Sequence, residues 1–144
     1  SGKIATGYDM VTKIALGADT CNAARAMMFA LGCVQSLHCN TDACPTGVAT
    51  QNKRRWSSLN VKDKSVRVAN FQRRTVHSFM ELVGALGKDD PDQLDPSHIR
   101  RYADISTSKS YAVIYPQLAK GELLAKDSSG IYVDLWKNAR AEKF

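Results

Sequence analysis

The chain has no apolar run near the twenty or so residues needed to cross a bilayer. Its amino terminus lacks the charged, apolar and small-residue order of a secretory signal. These two absences predict a cytoplasmic protein that does not act in a membrane. No internal repeat or low-complexity tract is visible, which excludes solenoid and fibrous architectures. Cysteine is scarce, with four in 144 residues, and without a secretion signal clustered thiols point to metal or redox chemistry rather than structural disulfides. There is no initiator methionine, and Ser1-Gly2-Lys3 reads as the end of a motif, so a fragment of a longer chain is expected.

What is present suits a packed domain: 44% of residues are hydrophobic, enough for a core at this length. The formal net charge is +6, and it is unevenly placed. Lys53, Arg54, Arg55, Lys62, Lys64, Arg67, Arg73 and Arg74 stand against one acid, Asp63, within a single stretch. Basic charge raises nucleic-acid binding, but no recognised module or stacking aromatic platform accompanies it, so no nucleic acid is expected. The run reads first as the solvated face of a helix, and second as a dock for an acidic protein.

Helical spacing predicts an element over Thr6 to Gly17, with Thr6 and Asp9 as a capping box, Tyr8, Val11, Ile14 and Ala15 on one face, and Gly17 as the stop. Ala18 to Ala24 is short and mostly apolar, as a buried strand would be, and Arg25 to Gly32 resumes helical spacing. This order is a slice of alternating α/β architecture. A longer helix is expected from Asp63 to Gly87, with Val68, Phe71, Val76, Phe79, Val83 and Leu86 as its stripe. Asp90-Pro91 and Asp95-Pro96 each read as the cap and first turn that start a helix. Beyond Thr107, Tyr111, Tyr115, Tyr132, Trp136 and Phe144 anchor a wrapping tail, with Lys126 to Gly130 as its flexible loop.

Between Cys33 and Gln51 periodicity stops, and Asn, Thr, Asp, Pro and Gly dominate. Cys33, Cys39 and Cys44 stand in a C-x5-C-x4-C pattern. Thiolates are soft ligands for iron–sulfur clusters, zinc and copper(I), and a loop of this composition can bend three of them to one point. Zinc pairs usually lie two to four residues apart, so the spacing favours a three-thiolate cluster, while zinc and uncoordinated thiols stay open. His38 is a candidate fourth zinc ligand, and Cys21 a fourth cluster ligand, although Cys21 sits in the expected strand and reads better as a small packed side chain.

The segment SGKIATGYDMVTKIALGADTCNAARAMMFALGC, followed by CNTDACPTGVATQ, resembles the FMN-binding synthase domain of the glutamate synthase family. The tail runs SYAVIYPQLAKGELL and LWKNARAEKF, and the helix from Asp63, are closer to its short stand-alone FMN-binding members. The resemblance implies the carboxy-terminal fragment of a (β/α)8 FMN barrel in residues 1–32, a cluster loop in 33–52 and a helical extension in 53–144, predominantly α as an isolated chain. Ser1 to Lys3 would end barrel strand seven and Asp19 to Ala24 would be strand eight; a full barrel needs about 250 residues.

The resemblance further implies FMN, with its phosphate at Gly2, Lys3, Ala24 and Arg25, and a 3Fe-4S cluster on Cys33, Cys39 and Cys44. Arg25 departs from the family pattern, where larger members have Gly-Thr at Ala24-Arg25; it adds a cation for the phosphate. The implied parent enzyme reduces 2-iminoglutarate, from 2-oxoglutarate and glutamine or ammonia, to L-glutamate, with ferredoxin or an NAD(P)H-linked reductase as electron donor. Catalytic residues would lie on strands outside this chain. The alternative is a non-catalytic metal-binding or helical interaction fragment, inactive alone and prone to self-association through faces that would meet the barrel.

Overall fold

The computed structural model describes residues 1–125, 130 and 132–142. Helix α1 spans Gly7–Ala15 and begins with the expected capping box: the Asp9 N–H donates to the Thr6 hydroxyl at 3.1 Å, and the Thr6 N–H donates to the Asp9 carboxylate at 2.9 Å. Burial alone would raise the Asp9 pKa. Hydrogen bonds from Ala5 and Thr6, with Lys13 nearby, outweigh it and hold Asp9 below the ordinary carboxylate value. Helix α2 spans Arg25–Leu31 and stops at Gly32, whose φ of 107° is the left-handed cap expected there.

Helix α3 is the single turn Lys53–Trp56, and α4 runs the 25 residues Val61–Ala85. The α4 cap is Asn60 rather than Asp63. Asn60 Oδ1 accepts the Asp63 N–H at 3.2 Å, which puts Asp63 in the first turn, where an acid complements the helix dipole. Both Asp-Pro pairs start 3-10 turns, Pro91–Gln93 and Pro96–His98, capped by Asp90 and Asp95. A short antiparallel pair follows, β1 (Arg100–Tyr102) with β2 (Ser108–Ser110), in the register Arg101 opposite Lys109. Helices α5 (Tyr111–Ile114) and α6 (Val133–Asn138) complete the described tail. The flexible loop expected at Lys126 to Gly130 falls mainly on residues outside the description, as does Phe144.

The core lies where α1 crosses α4. Val11, Ala15, Phe79, Val83, Leu94 and Ile99 form one buried cluster, and Val83 is fully excluded from solvent. Crossing is close because Gly7 has no side chain: a Cβ there would sit 2.5 Å from the Phe79 nitrogen. Of the expected stripes, Val11 and Ala15 are buried, but Tyr8 is half exposed; on α4, Phe79 and Val83 are buried, while Val76 faces outward. Burial of α4 is confined to the strip that meets α1 and α2.

The two expected barrel strands need correction. Neither Ser1–Lys3 nor Asp19–Ala24 forms a strand, and Asp19, Thr20, Asn22 and Ala24 are exposed. The segments nevertheless touch: the Ser1 nitrogen donates to the Thr20 carbonyl at 2.6 Å, and the Asn22 N–H donates to the Ser1 carbonyl at 2.8 Å. That is one rung of a parallel ladder, with Ser1 beside Cys21 and α1 as the crossover. A single rung without a further neighbour cannot organise a strand. The described residues therefore form a mixed, mostly helical domain with a two-stranded sheet.

Candidate cofactor cleft and cysteine loop

The cysteine loop is tied down by residues that its metal-like spacing did not point to. Asp42 Oδ1 accepts the Gln51 N–H at 2.5 Å and the Thr50 hydroxyl at 2.8 Å, closing the loop on itself. Those two donors hold Asp42 below the ordinary carboxylate value. The Arg55 guanidinium donates to the Ala43 carbonyl at 2.5 Å and so ties α3 to the loop. Gly47, at φ 79°, lies directly against the α3 backbone, and a Cβ there would overlap the Arg55 carbonyl. Gln35, Leu37 and Asp42 also adopt positive φ, at 54°, 60° and 58°. Three non-glycine residues in that region within one loop mark stored strain of the kind that collects at functional sites.

The three thiols differ in surroundings. Cys44 is buried, at 5% exposure, and shares a 3.5 Å hydrogen bond with the Thr46 hydroxyl. The Thr46 hydroxyl and the Ala49 N–H, with lesser help from Thr46 and Val48 N–H groups, outweigh burial and lower its pKa from 9.0 to about 7. Cys33 is half-buried and accepts the Gln35 N–H at 3.5 Å. Cys39 is exposed and lines an open cleft of about 530 Å³ with Asp42, Val48 and Gln51. No disulfide forms among these cysteines, and Cys21 is half-buried beside Ser1, away from the loop's hydrogen bonds.

The donor chemistry fits a soft metal centre: three thiols on one loop, two of them receiving N–H groups aimed at sulfur. Among the described residues, however, no three His, Cys, Asp or Glu side chains are gathered so as to hold a metal ion. His38 is exposed and joins no such group.

A second site lies at the other end of α2. Lys3, Ala24 and Arg25 line one cleft of about 430 Å³, together with Ile4, Ala26 and Phe29. Three of the four expected phosphate positions therefore meet. Gly2 stands next to the cleft rather than in its lining, and a Cβ at Gly2 would meet nothing within 4 Å. Lys3 is held at φ 60°, and no side chain caps α2 at Ala24. The ion pairs among the described residues are Lys64–Asp63, His77–Glu81 and His98–Asp95, so Lys3 and Arg25 line this cleft without a carboxylate partner. Two cations without an acid suit an anionic group such as a phosphate.

The family model described as "Conserved region in glutamate synthase" matches residues 1–89, which include both the cleft and the cysteine loop. The chain belongs to the glutamate synthase family. It is 37% identical over 99 residues to the glutamate synthase large subunit-like protein YerD of Bacillus subtilis, a match covering 69% of this chain and 19% of that protein. It is 39% identical over 87 residues to the archaeal glutamate synthase (NADPH) of Methanocaldococcus jannaschii, covering 60% and 17%. With the ferredoxin-dependent glutamate synthase 2 of a Synechocystis species it shares 33% identity over 90 residues, covering 62% and 6%. The match thus spans less than a fifth of the length of each of these relatives. No solved structure matches the chain.

Proposed function

We propose that this chain is part of a glutamate synthase-type oxidoreductase, supplying the phosphate end of an FMN site and the three thiolates of a 3Fe-4S cluster. The observation that carries the reading is the placement of the two sites on α2. Arg25 opens that seven-residue helix, Gly32 caps it and Cys33 follows, so a helix about 10 Å long joins the phosphate cleft to the first thiol. The single parallel rung between Ser1 and Cys21, with α1 between the two segments, supports their assignment as neighbouring strands of a (β/α)8 barrel completed by other parts of the parent.

In the parent, FMN and the cluster supply hydride and single-electron chemistry for reducing 2-iminoglutarate, with nitrogen from glutamine or ammonia, to L-glutamate. The residues of this chain bind and orient. Lys3 and Arg25 would neutralise the phosphate, with backbone N–H groups near Gly2 and Ala24 as further donors. Cys33, Cys39 and Cys44 would be the thiolate ligands of the cluster. N–H groups aimed at Cys33 and Cys44 stabilise the thiolates and tune the potential. The basic run from Lys53 to Arg74 begins at α3, which is tied to the cysteine loop, and fits an acidic electron donor such as ferredoxin or an NAD(P)H-linked reductase. A second reading, a non-catalytic fragment that associates with itself, rests on the thiols not being gathered and on the small share of the relatives that is covered.

The test is metal and flavin analysis of chain purified without oxygen. The reading expects about three irons per chain with broad absorption near 400 nm, reduced to background by Cys33→Ser, Cys39→Ser or Cys44→Ser and retained in Cys21→Ser. Zinc in place of iron, or iron binding that survives all three loop substitutions, overturns it. A stable dimer that binds neither iron nor FMN favours the second reading.

A further inference from the structure

A groove that shares no lining residue with the phosphate cleft or the cleft at Cys39 runs between α2 and α4. It holds about 310 Å³ and is lined by Ala30 of α2 and by Arg67, Asn70, Phe71 and Arg74 of α4. Arg67 and Arg74 are exposed, and among the described residues neither makes an ion pair or a side-chain hydrogen bond. Asn70 Oδ1 accepts Arg73 Nη1 at 3.1 Å, leaving the Asn70 amide N–H groups as donors. The lining thus sets two cations and a neutral donor around one aromatic side chain, with no carboxylate among them.

Spacing selects the shape of the occupant. Arg67 and Arg74 are seven residues apart on α4, two turns and about 10 Å along its axis, and half-buried Phe71 lies between them. A complementary ligand carries two anionic groups at that separation with an apolar group midway. In an extended peptide, side chains on one face recur every second residue, so two carboxylates stand about 7 or 13 Å apart and not near 10 Å. On a helix, residues seven apart share a face at about 10 Å, and the residue three or four places from each falls between them. A helix lying along α4 therefore brings two acids to the two arginines and one apolar side chain to Phe71 and Ala30. Charge agrees with this, because both arginines belong to the run of basic residues from Lys53 to Arg74 that holds Asp63 as its one acid.

We propose that this groove docks an acidic amphipathic helix of a partner protein, with two carboxylates seven residues apart on Arg67 and Arg74 and an apolar side chain between them against Phe71 and Ala30. The proposal rests on the reading of the basic run as a dock for an acidic protein and names the segment that docks; it requires neither FMN nor the cluster.

The probe is a stapled helical peptide with two glutamates seven residues apart and a leucine midway, stapled because a short free peptide is a marginal helix. Titration calorimetry with the 144-residue chain at about 150 mM salt reads its binding where diffuse attraction to surface charge is largely screened. Saturable binding is expected, weakened about twofold to fivefold by R67Q and by R74Q, the range of an exposed ion pair. Circular dichroism of both variants is expected to match the parent, since both side chains are exposed. A peptide of the same composition with its glutamates four residues apart, and one with serine for the leucine, are expected to bind more weakly by a similar factor. R54Q on α3 and R101Q on β1 each remove one cation outside the groove, and both are expected to bind the peptide as the parent does. R54Q weakening binding as much as R67Q overturns the groove and leaves the broader dock on the basic run. Equal weakening by R101Q, the mark of delocalised charge, overturns both, as does an absence of saturable binding by any of these peptides at low-millimolar concentration. Equal affinity for the two glutamate spacings, or tighter binding of a single-stranded oligonucleotide, overturns the acidic helix as the occupant.

Discussion

Replacing Gly47 with alanine separates two costs that a glycine can hide. At φ 79° any side chain loses the freedom glycine has in the left-handed region, about 1–2 kcal/mol. The added Cβ also overlaps the Arg55 carbonyl and stands 2.9 Å from the Trp56 Cα. Those atoms are backbone, so no rotamer change relieves the contact, and forcing α3 away from the loop adds roughly 1–3 kcal/mol. The sum is about 2–5 kcal/mol. Gly17 is the control, with φ 96° and open space where its Cβ would go, so Gly17→Ala carries only the first cost. Gly47 lies outside the α1–α4 core, so the loss appears first as local opening. Native-state hydrogen exchange reads it directly: the amides of Thr46 to Ala49 are expected to lose protection by about thirtyfold or more in Gly47→Ala, with little change in Gly17→Ala. Iron retained by the Gly47→Ala protein is expected to fall in parallel. Loop protection in Gly47→Ala within about threefold of the parent would refute the packing of α3 on the loop.

Two further outcomes follow from the core and its cap. Val83→Ala empties a fully buried site and is expected to cost roughly 2 kcal/mol in denaturant titration, whereas Val76→Ala, whose side chain is 38% exposed, is expected to cost well under half of that; equal losses would mean that α4 is rotated from the orientation described. Asp9 has a folded-state pKa below its ordinary value of 3.8, so its contribution is complete above that pH and is lost as pH falls through the lower folded value. Thr6→Ala removes the reciprocal cap, and the variant is expected to be less stable at pH 7 by about 1 kcal/mol, with the difference from the parent shrinking below about pH 4; a difference that grows on acidification would refute the cap's role.

Much of this was legible from residues alone, wherever the determinant is local. The Thr6–Asp9 box, the stops at Gly17 and Gly32, the Asp-Pro turns and the irregular cysteine loop all depend on side chains reaching their own backbone within a few residues. The α4 boundary was misplaced by three residues because Asn60 and Asp63 are both competent caps, and only the chain path into Val61 selects between them. The exposed position of Val76 likewise depends on which strip of α4 meets α1 and α2.

The C-x5-C-x4-C spacing singled out three candidate thiols, and with its flanking motifs it carried the resemblance to the family, which in turn implied the candidate phosphate residues, because motifs are properties of residue order. Tertiary structure alone decided which of them meet. It brought Lys3, Ala24 and Arg25 to one cleft, left Gly2 at its edge, and did not gather the three sulfurs. It also reduced the expected strands to one parallel rung, since a strand exists only through hydrogen bonds to a neighbour and a residue pattern cannot provide the neighbour.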